Sequence, residues 1–238
     1  MGTDNEHDTS ERDRSSGPDK ARKRRPRSVR FGLGALIVTM ALLLVSAVVV
    51  QPFRIPSSSM APTLETGDRI MVNKLAYRFG NHPGRGDVVV FDGTGSFADE
   101  EAPAGNRVIA LLRKAGTLVG LTQPSGSDYV KRVVGVGGDR VSCCDKRGRI
   151  EVNGEPVAEA YLHPGDAPSA VPFDTRVPPG RLWVMGDHRS ESSDSRDHLG
   201  SPGGGTVPVE RVIGRAEWIS WPFDRWGTVP GAGAGGDG

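Results

Sequence analysis

Residues 31–50 read "FGLGALIVTMALLLVSAVVV", twenty consecutive positions without a charge. As a helix rising ~1.5 Å per residue, such a run spans the ~30 Å hydrocarbon core of a bilayer. A buried helix of a soluble domain rarely runs this far without a strongly polar side chain. The apolar core of a cleaved signal peptide is shorter, roughly 7–15 residues, and does not follow thirty polar ones. The run is therefore expected to be a single uncleaved transmembrane helix. On its N-terminal side lies "KARKRRPRSVR", with Lys20, Arg22, Lys23, Arg24, Arg25, Arg27 and Arg30, against a lone Arg54 beyond the other end. Basic flanks stay in the cytoplasm, so the chain after Gln51 is expected outside the cell membrane. By itself a basic run fits nucleic acid equally well. Beside an apolar span it fits anionic lipid headgroups, and no nucleic-acid partner is expected.

Four segments follow from this anchor. Residues 1–30 are a polar, then basic, cytoplasmic tail whose first part lacks the apolar side chains to offset the entropy of ordering. Residues 31–50 are the span, 51–226 an exported domain, and 227–238, "GTVPGAGAGGDG", a glycine-rich tail expected to be disordered. Within the domain, short β-branched runs recur between Gly, Pro and Asp: residues 69–75, 87–91, 129–136, 139–143, 149–154, 181–187 and 211–221. That frequency predicts a mainly antiparallel β domain. Asn153-Gly154 supplies the left-handed conformations of a two-residue hairpin turn. Residues 106–121 place Val108, Leu111, Leu112 and Ala115 at helical spacing, predicting a short amphipathic helix. The only cysteines, Cys143 and Cys144, are adjacent, and the residues leave open whether they are bridged. No CxxC pair or HExxH motif is present, so neither a metal nor a cofactor is expected.

Chemistry must then come from side chains alone. "IPSSSMAPTL" (55–64) begins a few residues beyond the span, and Ser59 lies within ~30 Å of Val50 even along a fully extended chain. No G-x-S-x-G elbow and no S-x-x-K motif exists, which argues against a triad hydrolase and against the penicillin-binding proteins. Lysine remains as a base. In "YVKRVVGVGGD" (129–139), Tyr129, Lys131 and Val133 alternate with Val130, Arg132 and Val134, and one of the two cations is expected to be drawn inward. A catalytic lysine must be neutral, which burial among apolar groups promotes. "GDHRSESSDSRDHLG" (186–200) adds serines that can aim a lysine and charges that can brace a loop.

In this order the anchor, "PSSSMAPTL", "RGDVVVF" (85–91), "YVKRVVGVGGD" and "GDHRSESSDSR" resemble the bacterial type I signal peptidases, membrane-bound Ser/Lys endopeptidases, over roughly residues 31–221. The resemblance implies Ser59 as nucleophile and Lys131 as general base. It implies Ser57 as oxyanion donor and Ser192 as the hydroxyl that orients Lys131. Asp187, Arg189, Asp194, Arg196 and Arg132 would support the site, and Met60 and Val133 would line an apolar substrate groove. The implied substrates are preproteins carrying N-terminal signal peptides, with the export machinery as a further partner. A catalytically inactive, membrane-anchored β domain that binds an exported partner is the competing reading. It has no use for both Ser59 and Lys131.

Overall fold

The computed structural model describes residue 34, residues 36–41, 49–98 and 127–231; the apolar run lies largely, and the 106–121 helix wholly, outside them. The chain divides into two units, Met1–Leu42 and Leu43–Gly238. Of the first, Leu36, Ile37, Val38 and Met40 are helical with exposed side chains. Among the described residues no helix is long and apolar enough to cross a membrane.

Among its described residues the second unit has twelve strands: β1 (Val50–Arg54), β2 (Arg69–Asn73), β3 (Val88–Asp92), β4 (Asp128–Val136), β5 (Arg140–Cys143), β6 (Ile150–Val152), β7 (Glu155–Pro156), β8 (Phe173–Arg176), β9 (Arg181–Met185), β10 (Val207–Pro208), β11 (Val212–Trp221) and β12 (Gly227–Thr228). The larger sheet runs β1-β2-β11-β3-β4-β9-β10 with β12 paired to β11, and the smaller runs β7-β6-β5-β8. Every strand pair is antiparallel, as the turn-punctuated pattern predicts. Asn153 and Gly154, both at positive φ, close the β6–β7 hairpin at the expected place.

The larger sheet is covered on both faces, which is why β3 reads as an unbroken apolar run from Val88 to Phe91 and why β4 is buried from Lys131 to Gly135. Val88 and Val90 pack with Phe53, Ile55, Met60, Leu64, Ile70 and Val72. Val89 and Phe91 pack instead with Val133, Leu182, Val184 and Val207. A third cluster joins Val134, Trp183 and Met185 to Val141, Ile150 and Phe173 of the smaller sheet. Gly135 permits that closure, because a Cβ there would fall 2.5 Å from Cγ2 of Val141. The register of β4 on β9 shifts between Val133 and Gly135, a bulge that re-aims the strand beside the lysine.

At three places the structure adds local detail to the sequence reading. Val50, the last residue of the apolar run, is the first residue of β1 and pairs with Asn73. The chain stays with the domain beyond residue 226, since β12 pairs with β11 and the Val229 N–H donates to the Glu217 carbonyl. Residues 232–238 lie outside those described. Cys143 and Cys144 are joined in a disulfide at the end of β5.

Candidate active site

Ser59 sits in the turn that carries the chain from β1 to β2. Met60 and Leu64, both buried, anchor that turn in the core, and the Leu64 N–H donates to the Met60 carbonyl. The serine is thereby fixed to the sheet by apolar burial, which a plain tether lacks. Lys131 projects from the middle of β4, between β3 and β9. Its Nζ lies 2.7 Å from Ser59 Oγ, and both residues are buried, 4% and 7% exposed. Burial lowers the Lys131 ammonium to about 8, against the pull of the negative charges on Asp194 and Asp187. A hydrogen bond of this length lets a neutral amine take the hydroxyl proton without a rearrangement.

Beside the pair, Ser57 is exposed, with its Oγ 3.4 Å from Ser59 Oγ. Among the described residues the Ser59 N–H has no acceptor. One donor, the Ser59 N–H, thus stands free beside the hydroxyl, and a second, the Ser57 hydroxyl, is directed at Ser59 Oγ itself. The Ser59 carbonyl, by contrast, accepts from the His188 N–H at 3.2 Å, tying the serine turn to the loop after β9.

That loop is held by charges whose partners are internal. Asp194 accepts from Arg196 Nε at 2.8 Å, from the Gly186 N–H at 3.0 Å and from Ser192 Oγ at 2.8 Å. Burial pushes the Asp194 carboxyl up, but the hydrogen bond and charge of Arg196 outweigh it and hold it below the usual range. Ser192 spends its only proton on Asp194, so toward Lys131 it can act only as an acceptor; Lys131 itself donates to Ser59 and not to Ser192. Arg189 braces the same loop, donating to the Gly186 carbonyl, the Pro168 carbonyl and the Glu159 carboxylate.

Arg132 departs from the expectation that one of the two β4 cations turns inward, since both do. Its side chain is fully buried, and all five donors are used: Nε and Nη2 on Asp187 at 2.8 and 2.7 Å, Nη2 also on Thr63, and Nη1 on the Gly86 and Pro230 carbonyls. The guanidinium stacks 4.1 Å over the Tyr161 ring. A covered sheet can bury a second cation only when every donor is met. The lysine, with fewer partners, is the one left to lose its proton.

A cavity of about 610 Å³ opens beside the pair, walled by Phe53, Ile55, Met60, Val90 and Val130, with Ser57, Ser59 and Lys131 at its end. Met60 is where the groove was expected. Val133 is not: it faces Val89, Phe91 and Val184 in the core, and Val130 takes the groove position. Alternation counted along an ideal strand misassigns it, because β4 is buried on both faces and bulged. Thr63, Gly86, Glu159, Tyr161, Gly186 and Pro230 also support the site without having been singled out. Their contribution is made through backbone carbonyls or long-range pairing, for which a sequence carries no pattern.

A buried serine and lysine in hydrogen-bond contact, a second hydroxyl and a backbone N–H beside them, and an apolar groove together form the apparatus of a Ser/Lys peptide-bond hydrolase. The profile of the family described as "Signal peptidase, peptidase S26" matches residues 28–221, and the chain belongs to that family. It is 41% identical to signal peptidase I of Mycobacterium tuberculosis, over 90% of this chain and 82% of that one. It is 34% identical to signal peptidase I of Leptolyngbya laminosa, over 81% and 82%. With signal peptidase I of Pseudomonas aeruginosa it shares 30%, over 86% and 77%. The chain is a serine endopeptidase of the signal peptidase I type.

Proposed function

We propose that Ser59 and Lys131 cleave N-terminal signal peptides from exported preproteins at the bilayer surface. The observation that carries this is the 2.7 Å contact between a buried Lys131 amine and Ser59 Oγ. Neutral Lys131 takes the Ser59 proton as the oxygen attacks the scissile carbonyl. The oxyanion is met by the Ser57 hydroxyl and the Ser59 N–H. The ammonium then protonates the departing amine, and a water activated by the regenerated amine releases the signal peptide from Ser59. Ser192 offers Lys131 an acceptor, and the Asp194–Arg196 and Arg132–Asp187 pairs hold the loop and strand that present it. The groove walled by Met60 and Val130 accepts small apolar side chains such as Ala at the first and third positions before the cut.

The apolar run ahead of β1 spans the cell membrane with the N-terminus in the cytoplasm and the domain outside. The basic cluster meets anionic lipids, and the export machinery delivers substrate. Confinement in one bilayer raises the effective concentration of the substrate's apolar segment at the site. Exposed Trp221, Phe223 and Trp226 support a lipid-facing surface, because Trp221 lies across β2 from Arg54, at the end of the sheet where the serine turn begins. Purified preprotein in liposomes tests the reading. Wild type should cut after a small-x-small motif, and Ser59→Ala and Lys131→Ala should not, with their folds intact. Cleavage that survives Ser59→Ala would overturn the assignment.

A further inference from the structure

The loop after β9 faces a second segment, residues 159–168, and the contact between them contains a cluster the dyad does not use. One ring nitrogen each of His163 and His188 and one carboxylate oxygen of Asp166 all lie within 4.8 Å of one another. The two imidazoles are stacked, with centroids 3.9 Å apart and planes 12° from parallel. His188 Nδ1 is buried and has no hydrogen-bond partner among the described residues. Such a nitrogen is either desolvated at a cost or waiting for a ligand.

We propose that His163, Asp166 and His188 form a binding site for a borderline divalent transition metal, of which zinc is the type. Two imidazole nitrogens and one carboxylate oxygen are a donor set zinc accepts, leaving a fourth tetrahedral position for water. The supports around the ligands are in place. Ser190 donates to Asp166 twice, through its N–H at 3.2 Å and its hydroxyl at 2.9 Å, fixing the carboxylate as an outer-shell partner would. The His163 N–H donates to the Asp187 carbonyl at 3.0 Å, and Arg189 bonds to Glu159, so the two segments are already held together. Metal–ligand bonds of about 2.0–2.2 Å set ligand atoms roughly 3.3 Å apart. Loading therefore draws the three atoms inward and swings one imidazole out of the stack, because a metal lies in the plane of each ring it binds. The consequence reaches the dyad through backbone: His188, whose N–H holds the Ser59 carbonyl, would be fixed by the metal. The site does not depend on the peptidase reading.

Titration calorimetry of the full chain in detergent, without an affinity tag and stripped of metal, tests this with zinc chloride as the probe. Wild type should bind one zinc per chain. His163→Gln should weaken binding at least as much as loss of an outer-shell partner, ~10–100-fold. His82→Gln, at a histidine outside the cluster, should leave it unchanged. Saturating zinc should raise the melting temperature of wild type and not of His163→Gln. If His163→Gln fails to fold by circular dichroism, Asp166→Asn takes its place with the same expectation. No saturable binding to wild type, or the same affinity in the folded ligand variant, would overturn the proposal.

Discussion

Substituting Lys131 separates what the residue does for the reaction from what it costs the fold. A lysine at its ordinary value of 10.5 is neutral about once in 3,000 molecules at pH 7, and one at about 8 about once in ten. Burial thus supplies a gain of a few hundredfold in competent base, equivalent to about 3 kcal/mol. The rate constant kcat/KM, followed with a fluorogenic signal-peptide substrate, should rise tenfold per pH unit and level off near pH 8. The same depression works against stability. Between about pH 8 and 10.5 the unfolded chain holds a proton on this lysine that the folded chain does not. Stability should therefore rise with pH through that window, by about 3 kcal/mol at most, and the full cost is present below pH 8. Lys131→Met removes the buried ammonium, so it should be inactive yet more stable than wild type at pH 7 in urea unfolding, with the advantage fading toward pH 10. A rate plateau first reached near pH 10.5, or a methionine variant less stable than wild type at pH 7, would refute the argument.

Removing Arg132 alone strands the Asp187 carboxylate in the core. Arg132→Met should cost about 3–5 kcal/mol in urea unfolding, and Arg132→Met/Asp187→Leu should recover much of it. A Cβ at Gly186 would fall 2.2 Å from Ser192 Oγ and 2.4 Å from the Ser59 carbonyl oxygen, so Gly186→Ala must displace the nucleophile turn. A shift of about 1 Å there should lower kcat ~100-fold with circular dichroism unchanged. Ending the chain at Trp226 removes β12 and the Pro230 carbonyl that Arg132 Nη1 uses, and should cost about 1–3 kcal/mol by the same unfolding measurement.

Each of the seven expected strand runs overlaps a strand of the structure, because bounded β-branched runs need no tertiary information to be recognised. β1 escaped because it begins on the last residue of the apolar run, where Val50 reads equally as lipid-facing helix or as strand. The order of Ser59, Lys131 and the loop from Asp187 to Arg196 was legible through motif resemblance, and the structure brings them together. What was not legible depends on folding at a distance. Arg132 becomes buriable only because Asp187, Gly86 and Pro230 converge on it from three separate segments. Val130 replaces Val133 in the groove because a sheet covered on both faces gives no alternation to count. The cluster of His163, Asp166 and His188 escaped for a similar reason, since its members come from two loops and match no metal-ligand spacing. Gly227 and Thr228 look like linker, and pair as a strand because β11 offers them an edge.

Ser59 is expected to carry the signal peptide as an acyl group between bond cleavage and hydrolysis. An ester analogue of a signal peptide, mixed with enzyme and acid-quenched within the first turnover, lets mass spectrometry locate that group directly. The account predicts an added mass equal to the acyl portion on the fragment containing Ser59, absent in Ser59→Ala and not accumulating in Lys131→Met. An acyl group on any other residue, or turnover of the ester with Ser59 replaced, would contradict it.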